Sequence, residues 1–167
     1  MNVKHGIIIP ALGLVVITVL VYGNSFSGAF LFDEGQAILS NPRIRTLVPP
    51  AGLFTVLPPG PVITITLAVN YALGGFNPRG YRAVNLLIHL GAGLALFGIV
   101  RRTLLFLGYR GASSSLAFAT AVVWLVHPLQ TESVTYIIQR YESLMGLFCL
   151  LTLYRVIRSA SASVPRR

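Results

Sequence analysis

The sequence predicts an all-α, polytopic membrane protein with about four transmembrane helices and one interfacial helix on the outer side. Of the 167 residues, 54% are hydrophobic and only 10% are charged, and the mean hydropathy is +0.75. This composition is typical of membrane proteins and not of soluble domains. The stretch from Gly6 to Phe32 carries no charged residue, and it exceeds the about 20 apolar residues that a membrane-spanning helix needs.

The first transmembrane helix is predicted over about residues 6–26. A cleaved signal peptide ending near Ser27 is the alternative, but the apolar run is longer than the hydrophobic core of about 7–15 residues that such peptides have. Residues 27–78 are predicted to form an outer loop with the interfacial helix, because the apolar segment PVITITLAVNYAL is short for a span. Breaks in this loop are expected at Asn41-Pro42, Pro49-Pro50 and Pro58-Pro59-Gly60-Pro61.

Three more transmembrane helices are predicted, over about residues 81–100, 113–126 and 134–158. The pair His127-Pro128 breaks the chain between the last two, and the final helix is expected to start near Thr131. Residues 1–158 would then form one membrane domain, followed by a basic, disordered tail over residues 159–167.

The charged residues predict an orientation with both termini in the cytoplasm. In that orientation the inner segments hold eight of the 13 Lys and Arg residues and the outer segments five, in line with the positive-inside rule. The net charge of +9 is then explained by topology signals and lipid headgroup contacts, and no nucleic-acid motif is present. The lone Cys149 excludes a disulfide within the chain. All four acidic residues would lie outside: Asp33, Glu34, Glu132 and Glu142.

The pair Asp33-Glu34 follows directly on the predicted outer end of the first helix. A carboxylate at an apolar boundary is partly desolvated, which makes it a better general base. The alternative is a solvated pair at a helix end that only helps to orient the chain.

A second polar cluster surrounds the start of the last helix. Glu132, Tyr136 and Arg140 are spaced i, i+4, i+8 and are predicted to share one helical face, with His127 just before the helix. A divalent metal ion held by Asp33, His127 and Glu132 is one hypothesis for this cluster. An ordinary loop-to-helix junction with an interfacial ion pair is the alternative.

The second transmembrane helix carries its own polar side chains. Asn85 and His89 are spaced i, i+4 and must face protein or a cavity, because lipid cannot satisfy their hydrogen bonds; interhelical hydrogen bonding is the simpler explanation. Arg79 and Arg82, at the outer end of this helix, either bind a lipid phosphate or extend to the interface.

Three segments resemble the start of one family. They are FLFDEGQAILSNPRI, NYALGGFNPRGYRAVNLLIHL and VVWLVHPLQTESVTYIIQRYESL. In this order and spacing, over about residues 20–155, they resemble the N-terminal part of GT-C-type glycosyltransferases of the protein O-mannosyltransferase type. The resemblance is greatest to members that join transmembrane helices to tetratricopeptide repeats, and to their bacterial relatives.

The resemblance implies that a sugar, with mannose expected, passes from a polyprenyl-phosphate donor to a Ser or Thr hydroxyl of an acceptor protein. It also implies a bacterial inner membrane with the acidic motifs in the periplasm. Asp33 would be the catalytic base or the acceptor-orienting carboxylate, and Glu34 its neighbour in the site. The other residues expected to bind donor or acceptor are His127, Glu132, Arg140 (as a donor-phosphate contact), Arg82, Asn85 and His89.

The chain departs from the family pattern in three ways. Gly60-Pro61 stands where an Arg-Pro pair is expected, and Arg82 stands where a His is common. The chain also has about four spans and no repeats, so a second chain that completes the fold is an expected partner. Two other functions stay open: a truncated, non-catalytic membrane subunit that binds a partner protein or a lipid carrier, and a small ion-coupled transporter. The transporter predicts acidic residues within the spans, whereas here they lie at the predicted outer ends.

Overall fold

A computed structural model describes residues 5–47 and 60–163 of the chain, and within these ranges it contains helices and turns and no β-strand. The predicted all-α class is therefore confirmed. Of the predicted breaks, Pro49-Pro50 and Pro58-Pro59 lie outside the described residues, as does the end of the predicted tail, residues 164–167. There are six α-helices in the described part: α1 His5–Tyr22, α2 Pro61–Gly74, α3 Pro78–Phe106, α4 Ser113–Val126, α5 Thr131–Thr135 and α6 Arg140–Ser163.

Local sequence explains where most of these helices begin and end. Pro61 and Pro78 occupy the first turns of α2 and α3, where the missing N–H costs no helical hydrogen bond. The side chain of Asn77 caps α3 by accepting a hydrogen bond from the Arg79 N–H. Gly75 follows α2 with a φ of 58°, a left-handed conformation that glycine adopts without strain.

Three regions are long and apolar enough to cross a membrane: Gly6–Ser27, Pro78–Phe106 and Ile137–Ala160. The predicted third span, residues 113–126, forms α4 with those bounds, but α4 has only 14 residues. At 1.5 Å per residue it is about 21 Å long, shorter than a hydrocarbon core of about 30 Å. By length the described residues thus hold three candidate spans, and α2 and α4 are shorter apolar helices, so the predicted third span is not among the three.

Two other predictions need revision. The last helix does not run continuously from Thr131, because the backbone is extended at Tyr136, with φ −99° and ψ 107°. A single 3₁₀ turn, Ile137–Gln139, separates α5 from α6. At the other end α6 continues to Ser163, so residues 159–163 of the predicted tail are helical.

Helix α3 is the centre of the bundle. It packs against α4 on one side and α6 on another, and α1 packs against α4. The apolar contact between α1, α3 and α4 is built from small and large residues that are all buried: Leu14, Phe97, Ala117, Ala121 and Leu125. The chain direction of these helices brings the end of α1, the start of α3, the end of α4 and the start of α6 together, and we call this the polar end of the bundle.

Candidate functional site

Glu34 joins the first loop to the start of the last helical region. Its side chain is fully buried. One carboxylate oxygen accepts a hydrogen bond from the Ile137 N–H at 2.5 Å, and the other accepts one from the Leu31 N–H at 2.7 Å. The Ile137 N–H is free to donate because the helix is interrupted at Tyr136. Glu34 thus links the first loop to the segment that lies between Glu132 and Glu142, while the predicted location of all four acidic residues on the outer side stays a prediction.

Asp33, the neighbour of Glu34, is exposed. The backbone on both sides of it is unusual. Phe32 has a φ of 49° and an exposed fraction of 90%, and Gly35–Leu39 form a π-helical turn. A bulky residue with positive φ is a rare outlier, and π turns occur frequently at functional sites. The strain is tolerated because Glu34 anchors the loop, and it leaves the carboxylate of Asp33 on the surface of the polar end.

Arg82 connects the same two segments from the other side. Its Nε donates to the Thr135 carbonyl at 3.2 Å, and its two terminal nitrogens donate to the carbonyls of Gly28 and Ala29. The side chain is only 2% exposed. Within the described residues no carboxylate pairs with it, so backbone carbonyl dipoles alone balance its charge.

A cleft of about 560 Å³ opens between the first loop and α5, with Arg82 on its wall. Glu132 is the acidic side chain among its lining residues, and Phe32 and Tyr136 supply aromatic surface. These two rings meet edge to face at 6.4 Å. Leu31 adds an aliphatic side chain, and the remaining lining residues are small or polar: Asn24, Ser25, Ser27, Gly28 and Thr135.

Arg140 is fully buried, and its guanidinium forms hydrogen bonds to uncharged partners only among the described residues. Its Nε donates to Asn85 Oδ1 at 2.7 Å. One terminal nitrogen donates to Asn70 Oδ1 at 2.8 Å and to Thr66 Oγ1 at 3.3 Å, and the other donates to the Tyr81 carbonyl at 2.8 Å. The network joins α2, α3 and α6. In this arrangement the guanidinium is fully buried, and its role as a donor-phosphate contact stays a prediction.

Asn85 and His89 both point into protein, as predicted for polar residues within a membrane helix. The amide nitrogen of Asn85 donates to the carbonyls of Tyr136 and Ile137, at 3.3 and 3.4 Å. The Nε2 of His89 lies 3.0 Å from the Leu125 carbonyl. Asn85 belongs to the Arg140 network, whereas His89 faces a separate cavity.

His127 and Glu132 are both exposed. The Nδ1 of His127 accepts a hydrogen bond from the Leu129 N–H at 3.3 Å, so the ring caps the turn at Pro128–Gln130. Because the helix is interrupted at Tyr136, Glu132 and Arg140 do not share a helical face, and that prediction is wrong. Among the described residues no three His, Cys, Asp or Glu side chains come together as metal ligands, so Asp33, His127 and Glu132 are not gathered into one group.

Two contributors to the site were not predicted from the sequence. Thr66 and Asn70 of α2 are among the acceptors of Arg140, and α2 was treated only as an apolar segment. The signal was present, since Thr66 and Asn70 are polar residues spaced i, i+4 in the run PVITITLAVNYAL and therefore share one helical face.

Comparisons with known proteins give one consistent result. The chain is 32% identical over 154 residues to the human protein named Protein O-mannosyl-transferase TMTC1, which aligns with 84% of the chain. It is 32% identical over 164 residues to the mouse Protein O-mannosyl-transferase TMTC2, covering 90% of the chain. It is 27% identical over 156 residues to the human Protein O-mannosyl-transferase TMTC4, covering 81%.

The matched relatives are much longer than this chain. The alignments cover 17%, 18% and 21% of the TMTC1, TMTC2 and TMTC4 proteins, respectively. No protein-family model matches the chain, and no solved structure matches it significantly.

Proposed function

From this homology to proteins named protein O-mannosyl-transferases, we propose that the chain forms part of a membrane glycosyltransferase that modifies proteins. The proposed reaction moves a sugar, with mannose expected, from a polyprenyl-phosphate donor to a Ser or Thr hydroxyl of an acceptor protein. The chain spans about a fifth of its relatives, so a further segment or a second chain would complete the donor site. A donor held in lipid requires a site at the membrane boundary, and the polar end, where α1 ends and α3 begins, is the proposed place.

Asp33 is the proposed general base, and the observation that carries this proposal is its exposure directly after Phe32, which lines the cleft. A hydroxyl is a weak nucleophile and needs a base within hydrogen-bond reach. The carboxylate of Glu34 is occupied by two backbone N–H groups, so it is assigned a positioning role. Asp33 has no such bonds to its side chain in the described structure and is free to meet an acceptor.

The proposed step balances as a single displacement. Asp33 takes the proton of the acceptor hydroxyl, the hydroxyl oxygen bonds to the anomeric carbon, and the bond from that carbon to the phosphate oxygen breaks. The lipid phosphate leaves with the bonding electron pair, and its developing negative charge needs a nearby positive group. Arg82 is the cationic side chain among the residues that line the cleft, and it uses three of its five N–H groups on carbonyls.

Asp33→Asn is the direct test. The variant removes the base and keeps the shape, so we expect transfer of labelled mannose from a polyprenyl-phosphate donor to a Ser- or Thr-containing peptide to fall by about 10²-fold or more. The assay uses membranes that contain the protein, with its expression level measured. Gln36→Ala, an exposed change in the same loop, is the control and should leave transfer intact. Full activity of Asp33→Asn would reject Asp33 as the base.

A non-catalytic membrane subunit is the second candidate, and one observation favours it. The membrane-spanning region Ile137–Ala160 has none of its most apolar window buried within the chain, and its exposed side chains include Met145, Phe148, Leu153 and Val156. Such a face suits another helix as well as lipid. If wild-type membranes show no transfer while a larger membrane protein co-purifies stoichiometrically with the chain, this second candidate replaces the first.

A further inference from the structure

A second cavity, separate from the cleft, lies between α3, α4 and α6 near the polar end. Its volume is about 190 Å³. Its polar wall is formed by His89, Gln130, Ser133, Glu142 and Ser143, with Trp124 and small apolar residues completing it. The mechanism proposed above assigns no role to any of these side chains.

His89 directs a hydrogen-bond acceptor into this cavity. A carbonyl oxygen can only accept, so the contact between His89 Nε2 and the Leu125 carbonyl at 3.0 Å places the proton on Nε2. In the neutral ring Nδ1 is then an acceptor. Nδ1 has no hydrogen-bond partner among the described residues. It is nevertheless not one of the fully buried side-chain atoms that lack a partner, although His89 as a whole is only 2% exposed. Nδ1 therefore opens onto the cavity that His89 lines.

The other polar groups of the wall are also mainly acceptors. The Ser133 hydroxyl donates its hydrogen to Gln130 Oε1 at 3.3 Å, and the Ser143 hydroxyl donates to the Gln139 carbonyl at 3.0 Å. Both serine oxygens thus keep their lone pairs for another partner. Glu142 adds a carboxylate, and the Gln130 amide nitrogen is a donor. A wall rich in acceptors, with no cationic lining residue, suits a ligand rich in O–H donors and disfavours a phosphate.

The aromatic ring and the volume of the cavity restrict the class of ligand further. The indole of Trp124 stacks on His89 at 5.0 Å with an angle of 25° between the rings, so its orientation is held. At about 30 Å³ per water molecule, the cavity equals roughly six waters, below the about 300–1,000 Å³ of pockets for drug-sized ligands. This is the size of one monosaccharide, whose C–H faces pack against aromatic rings.

We propose that this cavity binds a single hexose ring through its hydroxyl groups, with Glu142 and His89 Nδ1 as acceptors and Trp124 as the apolar wall. The choice of a hexose rests on the proposed glycosyl transfer. Glu142 and Ser143 lie in the first turn of α6, so the cavity is at the polar end of the bundle.

Tryptophan fluorescence provides the test, because Trp124 is the single tryptophan of the chain. With the chain in lipid nanodiscs, we expect methyl α-mannopyranoside to change Trp124 emission in a saturable way, and glycerol at equal concentration to give no saturation. Glu142→Leu removes a charge-assisted acceptor and should weaken the apparent affinity about tenfold or more. The exposed Gln36→Ala variant should titrate like the wild type, and far-UV circular dichroism checks that each variant keeps its helices.

The outcomes separate this proposal from the proposed function. Asp33→Asn should still bind the sugar with unchanged affinity even though transfer is lost. A saturable response that Glu142→Leu and His89→Leu both leave unchanged would overturn the cavity as the site, as would the absence of any saturable response in the wild type. Saturation by methylammonium but not by the mannoside would show that the acceptors bind a cation and would also overturn it.

Discussion

The polar end and the α3–α4 crossing hold the same bundle together by opposite means. At the polar end a few buried polar side chains bond to groups far along the chain: Glu34 reaches Ile137, and Arg140 reaches Asn70 and Asn85. At the crossing, buried apolar residues such as Ala121 and Leu125 pack on α3.

The difference shows how each region should respond to the loss of a single side chain. Apolar packing spreads its stabilisation over many weak contacts, and it is tolerant of small volume changes. A buried polar network concentrates stabilisation in a few groups, since each lost partner leaves another group unsatisfied. The polar end uses this concentration to hold a strained loop, and Asp33 lies on that loop.

Removal of Arg140 should produce the largest effect. Arg140→Ala deletes four hydrogen bonds to neutral partners and leaves Asn85 and Asn70 buried without them, so we expect the free energy of unfolding to fall by about 3–5 kcal/mol. Unfolding by a denaturing detergent, followed by circular dichroism, measures this. The control is Arg79→Ala, at an exposed position in the first turn of α3. It should change the free energy of unfolding by less than about 0.5 kcal/mol.

A loss for Arg140→Ala no larger than that for Arg79→Ala would show that the buried network contributes little. The polar end and the crossing would then not differ in the way described here. The test is sharp because the two variants remove the same side chain and the same charge, and differ only in burial and partners.

Substitutions of Glu34 and Asp33 should differ in how much they lower the free energy of unfolding, and this difference is smaller than that between the two arginine variants. In Glu34→Gln one side-chain oxygen becomes an N–H₂ group that faces a backbone N–H, so one charge-assisted bond is lost and a donor opposes a donor. We expect a loss of about 2 kcal/mol, measured in the same detergent titration. Asp33 is exposed and its side chain makes no hydrogen bond in the described structure, so Asp33→Asn should stay within about 0.5 kcal/mol of the wild type. Equal losses would contradict the positioning role of Glu34.

The sequence could predict the helices because each depends on nearby residues. The run from Gly6, the Asn77-Pro78 start of α3 and the His127-Pro128 end of α4 are local signals, and the structure has helix ends close to them. The interruption at Tyr136 has no such signal, since neither Gly nor Pro is present there. The interruption is stabilised by Glu34, which lies 103 residues away from Ile137 in the sequence. The residues near Tyr136 in the sequence therefore cannot predict it.

The candidate site could be predicted only as a set of residues and not by their roles. Asp33 and Glu34 are adjacent carboxylates, and the sequence gives no reason to treat them differently. Their separation into an exposed and a buried side chain follows from the positive φ of Phe32 and from the N–H groups that Glu34 finds. Arg140 was also named from the sequence, but its hydrogen bonds to Thr66 and Asn70 of α2 cannot be predicted from the residues that surround it in the chain.

Gly93 provides the smallest and final test, at the apolar crossing. A Cβ added to Gly93 would lie 2.6 Å from a Leu125 methyl carbon, closer than real contacts allow, so Leu125 must move when Gly93→Ala is introduced. Because a leucine side chain can change rotamer and neighbouring apolar groups can follow, we expect a loss of only about 1–2 kcal/mol in the detergent titration. Gly74→Ala, a helical position where a Cβ meets nothing within 4 Å, should be neutral or slightly stabilising. Leu125 also provides the carbonyl that fixes His89, so a larger loss in Gly93→Ala than in Arg140→Ala would mean that the crossing, and not the buried arginine, is what holds the polar end in place.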